Sequence, residues 1–186
     1  MINLTSLNCT NCPAEYLRDN QLSKIRRWEG QRFQEYRLLH EIKLYLLGES
    51  IPAGRFFYDQ ASKYSKNGLR YLLKKELVGN GTEGELFTYL RERGILLVDC
   101  AICPLHKLKC NNDKILSATF CLQRNTISNL YLNPIAPIIT IFPKNRGFLK
   151  ESLPNIQNRI IGQFQFSKLN DLKKTIENLL EEPPVV

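Results

Sequence analysis

Four short apolar runs set among longer stretches of helical period constrain this chain most. Ile42 to Leu47 (Ile-Lys-Leu-Tyr-Leu-Leu), Ile95 to Val98 and Pro137 to Phe142 are each too short for a typical helix and stop at Gly48, Asp99 or Pro143. Such runs read as buried strands. Arg159 to Phe166 is a fourth candidate. Elsewhere the apolar period is helical. Leu69, Leu72, Leu73 and Leu77 share a face within Asn67 to Val78, and Glu83 to Arg93 and Leu116 to Leu130 are two further helical pieces. Leu169, Leu172, Ile176, Leu179 and Leu180 mark a closing helix over Lys168 to Glu181. Short strands alternating with helices build βαβ units. The expected fold is a three-layer α/β/α sandwich with a central sheet of about four parallel strands.

Residues 1–182 are expected to form one α/β domain with a Cys-bearing helical segment at its amino end, 1–41. Within that segment Asn8 to Pro13 is a loop, and the helical period from Ala14 to about His40 is interrupted at Gly30. Residues 183–186 read as a frayed tail. No run approaches the ~20 apolar residues that span a bilayer, and the first residues lack a basic stretch followed by an apolar one. A cytoplasmic location with reduced thiols, no membrane partner and a monomeric state are expected. The 26 Lys and Arg against 18 Asp and Glu give a net charge of +8, which favours a polyanionic partner, nucleic acid first among them.

Parallel α/β sheets bind ligands at the carboxyl ends of their strands. The loops after Leu47, Val98, Phe142 and Phe166 are therefore the expected functional loops. The first holds Glu49, which can activate a water, and Phe56, Phe57 and Tyr58, which offer flat faces to a base. Plain core packing of those rings is the competing reading. The second opens on Asp99, placed to accept hydrogen bonds from a ligand or to cap a turn, and includes His106. His40, the other histidine, ends an apolar helical face and reads as structural. The third loop, Pro143-Lys144-Asn145-Arg146-Gly147, is basic. With Arg55, Lys63, Lys66, Arg70, Lys74 and Lys75 it can line one phosphate-binding rim, although a solvated helix face accounts for many of the same lysines. No Walker A loop and no Gly-x-Ser-x-Gly elbow occurs.

The six cysteines are Cys9, Cys12, Cys100, Cys103, Cys110 and Cys121. Two Cys-x2-Cys pairs suggest a four-thiolate site for zinc or an iron–sulfur cluster. Cys100 and Cys103 lie in or just after a strand, so buried structural thiols are an alternative. A thioredoxin-like redox pair is a third reading, with Pro104 after the pair rather than inside it.

The order of these loops resembles the uracil-DNA glycosylase superfamily, and most of all its bacterial and archaeal branch with an iron–sulfur cluster. In that branch a strand runs into Gly-Glu-Ala-Pro-Gly and then an aromatic that stacks on the flipped base. Leu46-Leu47-Gly48-Glu49-Ser50 is similar, with Pro52 and Gly54 displaced by an insertion and Phe56 to Tyr58 following. The branch's strand ending in Asn, with Cys-Arg-Pro four residues on, is matched by Val98-Asp99 and Cys103-Pro104. The resemblance implies a 4Fe-4S cluster on Cys9, Cys12, Cys103 and Cys121, with Cys110 as a substitute for Cys121. It implies Glu49 and Asp99 as catalytic, with Ser50, Phe56, Phe57 and Tyr58 at the base. It also implies Arg55, Lys144, Arg146 and Ser167 at DNA phosphates. Three features depart from the family. Asp99 replaces a base-reading Asn and rejects the uracil O4 acceptor unless protonated. The late His-Pro-Ser motif is reduced to Phe164-Gln165-Phe166-Ser167. The segment between Cys12 and the first strand is long for the branch.

The expected function is excision of a damaged or deaminated base from DNA by hydrolysis of the N-glycosidic bond. Two other readings stay open: a catalytically inactive nucleic-acid-binding member of the same fold, and a small protein centred on its metal or thiols.

Overall fold

The computed structural model describes residues 9–17, 41–51, 56–59, 68–126, 130, 132–142, 154–165 and 168–181. Strands β1 (Leu44–Ser50), β2 (Ile95–Ala101), β3 (Ile138–Phe142) and β4 (Ile160–Gln165) form one parallel sheet in the order β2-β1-β3-β4. Helices α1 (Leu69–Val78), α2 (Glu83–Glu92), α3 (Asn111–Cys121), the short α4 (Pro154–Gln157) and α5 (Leu172–Glu181) lie on both sides of it. The chain therefore forms the expected α/β sandwich around a four-stranded parallel sheet.

Strand order explains the layers. The step from β1 to β2 runs toward one edge, and the steps to β3 and β4 run toward the other. Right-handed crossovers then put α1 and α2 on one face and α3 and α4 on the opposite face. The last helix, α5, returns to the first face, where it meets α1. Leu44 to Gly48 and Ile138 to Phe142 are buried without a break, since β1 and β3 are interior strands with both faces covered. β4, at the edge, has no fully buried residue and exposes Ile161 and Gln163.

Local chemistry fixes the boundaries. Thr82 caps α2 by accepting the Glu85 N–H at 3.2 Å, and the Glu85 carboxylate accepts the Thr82 N–H in return. Gly94, at φ +64°, ends that helix, and a Cβ there would strike the Glu41 carbonyl. Arg159, just before β4, donates to the carbonyls of Ala136 (2.9 Å), Leu130 (2.9 Å) and Asn133 (3.0 Å). One guanidinium thus gathers the turn that leads into β3.

The structure departs from the sequence expectations mainly at element ends. β1 continues through Gly48-Glu49-Ser50 and β2 through Asp99-Cys100-Ala101, so these expected loop residues are ladder residues. Gly48 pairs with Asp99 and Ser50 with Ala101, and the Ile51 N–H donates to the Ala101 carbonyl at 3.0 Å. Backbone pairing continues where the side chains have turned polar. α3 begins at Asn111 rather than at the expected Leu116, because its first turn, Asn111-Asn112-Asp113, has no apolar face to read. It opens into a π turn over Leu122–Thr126. Of the helix expected from Ala14 to His40, a 3-10 turn at Glu15–Leu17 is described, and the rest lies outside the described residues, as does the tail.

Candidate functional site

The two candidate catalytic carboxylates come from adjacent strands at the carboxyl end of the sheet. Glu49 and Ser50 close β1, and Asp99 stands on β2 opposite Gly48. A Cβ on Gly48 would lie 2.5 Å from Asp99 Oδ1, so the absent side chain is what admits the carboxyl group. Burial first, and the charge of Glu49 second, push Asp99 up to about 7. Near neutral pH it therefore divides between a neutral acid, which donates and accepts, and an anion, which only accepts. The Leu105 N–H lies 3.4 Å from Ser50 Oγ and donates to it, tying the end of β1 to the 3-10 turn Leu105–Lys107. His106 is exposed on that turn, and its pKa is lowered by partial burial and then by Lys107 and Lys114.

Phe56, Phe57 and Tyr58 are all buried. Tyr58 Oη accepts from the Leu97 N–H at 2.7 Å and donates to the Leu97 carbonyl at 3.1 Å. Phe57 meets Tyr58 and Phe87 edge-on, at centroid distances of 5.0 and 5.7 Å. Arg70 holds this segment from beneath. It is fully buried, donates to the carbonyls of Phe57 (3.2 Å) and Asp59 (2.7 Å), and pairs with Glu83 at 2.9 Å. Arg70 therefore does not join a phosphate rim, contrary to the sequence expectation, because its donors are committed inside the protein. Lys74 donates to the Gly81 carbonyl at 2.9 Å. Arg55, Lys63, Lys66, Lys144, Arg146 and Ser167 lie outside the described residues.

Cys9, Cys12, Cys103 and Cys121 line one cavity, together with Ser117 and Phe120 among others. The loop bearing Cys9 and Cys12 closes as a tight turn. The Cys12 N–H donates to the Cys9 carbonyl at 2.9 Å, and Asn11 takes a left-handed conformation at φ +62° that suits Asn. Arg124 secures this loop by donating to the Thr10 carbonyl at 2.9 Å, while its guanidinium stacks 4.6 Å from the Phe120 ring centroid. The Ile102 N–H donates to Cys121 Sγ at 3.3 Å, a bond that strengthens if the sulfur is a thiolate.

The remaining two thiols differ. Cys100 is fully buried in β2, and burial, then Asp99, Cys121 and Glu49, hold its pKa well above the ordinary thiol value. It packs as a core thiol, and burial disfavours the thiolate that a redox pair with Cys103 would need. Cys110 is exposed at the start of α3. Cys100 is influenced electrostatically both by Asp99 and Glu49 and by Cys121, one of the cavity thiols. Among the described residues no three of His, Cys, Asp and Glu converge as ligands of a single ion.

Two contributors, Ser117 and Arg124, escaped the sequence reading, and a third, Arg70, was expected at the phosphate rim instead. Ser117 had a signal, since it precedes Cys121 by one helical turn and so shares its face. Arg124 and Arg70 had none, because both act on main-chain carbonyls, which sequence spacing does not reveal. Among the described residues no helix is long and apolar enough to cross a membrane. Comparison of the chain with family models, with curated proteins and with solved structures finds no match in any of the three.

Proposed function

We propose that this protein hydrolyses the N-glycosidic bond of a deaminated or damaged base in DNA and carries an iron–sulfur cluster on Cys9, Cys12, Cys103 and Cys121. The observation that supports the reading is that Glu49 and Asp99 stand at the carboxyl ends of adjacent parallel strands and influence each other electrostatically, with Gly48 making room for the Asp99 carboxyl group. A flipped nucleotide would enter at that end of the sheet. Glu49 orients a water toward the sugar C1′ and takes its proton as the carbon–nitrogen bond breaks. Asp99 reads the base edge. In its neutral form it donates to a carbonyl such as uracil O4 and accepts from the ring N–H. Its pKa of about 7 makes that form available at neutral pH. Arg55, Lys144, Arg146 and Ser167 hold phosphates.

The lining of one cavity by Cys9, Cys12, Cys103 and Cys121 supports the cluster. Thiolates around a cavity wall suit a centre that carries several irons with sulfide between them, whereas zinc draws four sulfurs to ~2.3 Å of one point. When bound, the cluster supplies folding free energy by joining the amino-terminal loop to the end of β2 and to α3. The burial of Phe56, Phe57 and Tyr58 favours a second reading, a nucleic-acid-binding module without base release.

The test is base release from end-labelled oligonucleotides that each carry uracil, hypoxanthine, xanthine or an alkylated base, with hot alkali cutting any abasic site. Cleavage at one lesion, lost in Glu49→Gln while DNA binding stays, is the expected result. Salt-dependent binding without cleavage of any lesion would establish the binding module instead.

A further inference from the structure

Ser117 is one of the few buried side chains among the described residues whose polar atom has no hydrogen-bond partner. Only 1% of the residue is exposed. A serine inside a helix ordinarily bonds back to the carbonyl one turn earlier. Ser117 sits inside α3 and makes no such bond. Its position explains the difference. Ser117 and Cys121 are four residues apart on one helix face, and both line the cavity that also takes in Cys9, Cys12 and Cys103. A buried hydroxyl without a partner costs free energy, so it marks a place where a partner is expected.

We propose that Ser117 donates its Oγ–H to a sulfur of the centre bound in this cavity, either a sulfide of the cluster or a cysteine thiolate. The inference rests on the cluster assigned above and adds a positioning residue that is not a ligand. Sulfur bound to iron carries negative charge and accepts hydrogen bonds. Such bonds hold the electron-rich form and set the reduction potential. Ser117 thereby acts beside the Ile102 N–H, which donates to Cys121 Sγ from the end of β2. Two donors from different elements then face one centre. Its stability and potential depend on the hydroxyl as well as on the four thiolates.

The experiment uses the full chain, reconstituted anaerobically with iron and sulfide, as wild type, Ser117→Ala and Ser117→Thr. Iron and sulfide content, the reduction midpoint and the rate of bleaching by a chelator are read for each. The expected result is full loading in all three proteins. Ser117→Ala shows a more negative midpoint and roughly five-fold faster bleaching, the size of one lost hydrogen bond. Ser117→Thr, which keeps the hydroxyl, stays close to wild type. Identical midpoints and bleaching rates in wild type and Ser117→Ala overturn the inference and leave the cluster standing. An equal change in Ser117→Thr and Ser117→Ala also overturns it, since cavity shape rather than the hydroxyl would then matter. Wild-type protein that takes up neither iron nor sulfide, or that takes up zinc alone, removes the cluster and the inference with it.

Discussion

The Asp99 carboxyl group occupies the space that a side chain on Gly48 would need. Two neighbouring strands thus share one volume, and the residue type at 48 decides whether the acid at 99 can sit there. Gly48→Ala should lower stability by about 1–3 kcal/mol, the usual cost of overpacking a tight interior. Thermal unfolding at pH 6 checks this. An unchanged Tm would mean that Asp99 can swing aside without loss.

Asp99 also predicts how stability varies with pH. Its folded pKa, about 7, lies above the unfolded value near 3.8, so the folded protein holds the proton more tightly. That contribution is complete below the unfolded pKa and is lost as pH rises through about 7. Asp99→Asn keeps the shape without the charge. Its Tm should gain on wild type as pH rises from 5 to 8, by roughly 2–6 °C at the upper end. On the proposed function, excision of uracil by the wild type should fall over the same upper range, because the anion cannot donate to O4. Parallel Tm curves for the two proteins would show that Asp99 does not titrate there.

Strand identity was readable because β1 and β3 are buried on both faces, and continuous runs such as Leu44 to Leu47 say so directly. Where those strands stop was not readable. Gly48, Glu49 and Asp99 belong to the ladder through backbone bonds, to which their polar side chains give no clue. The aromatic trio shows a different limit. Phe56 to Tyr58 look the same in sequence whether they face a ligand or the core, and Arg70, thirteen positions beyond Phe57, holds their main chain. Cysteine spacing marks Cys9 with Cys12 and Cys100 with Cys103 as equals, yet burial in β2 sets Cys100 apart from the other three.

The four cavity cysteines should behave as a group. Cys9→Ser combined with Cys12→Ser should abolish iron and sulfide binding and lower the Tm well beyond a surface change. Cys110→Ser should do neither, because that thiol is exposed at the start of α3. Metal analysis and thermal melts of the two variants decide the matter. Full metal content in the double variant would exclude Cys9 and Cys12 as ligands.

Arg70 should be among the least replaceable residues outside the strands. Arg70→Met keeps length but leaves the Phe57 carbonyl without this donor, and should cost about 2–4 kcal/mol. Arg70→Lys should recover little, since a single ammonium does not reproduce a planar fork. Chemical denaturation of the three proteins checks the order. A lysine variant as stable as wild type would mean that charge alone matters at this position.

The hydrogen bond from Arg124 to the Thr10 carbonyl spans 114 positions of chain. During synthesis the turn that carries Cys9 and Cys12 is made well before Arg124, so this bond forms only once α3 and the turn after it have left the ribosome. The turn that carries Cys9 and Cys12 is in this sense a late-assembling part of the molecule, completed only once residue 124 is available.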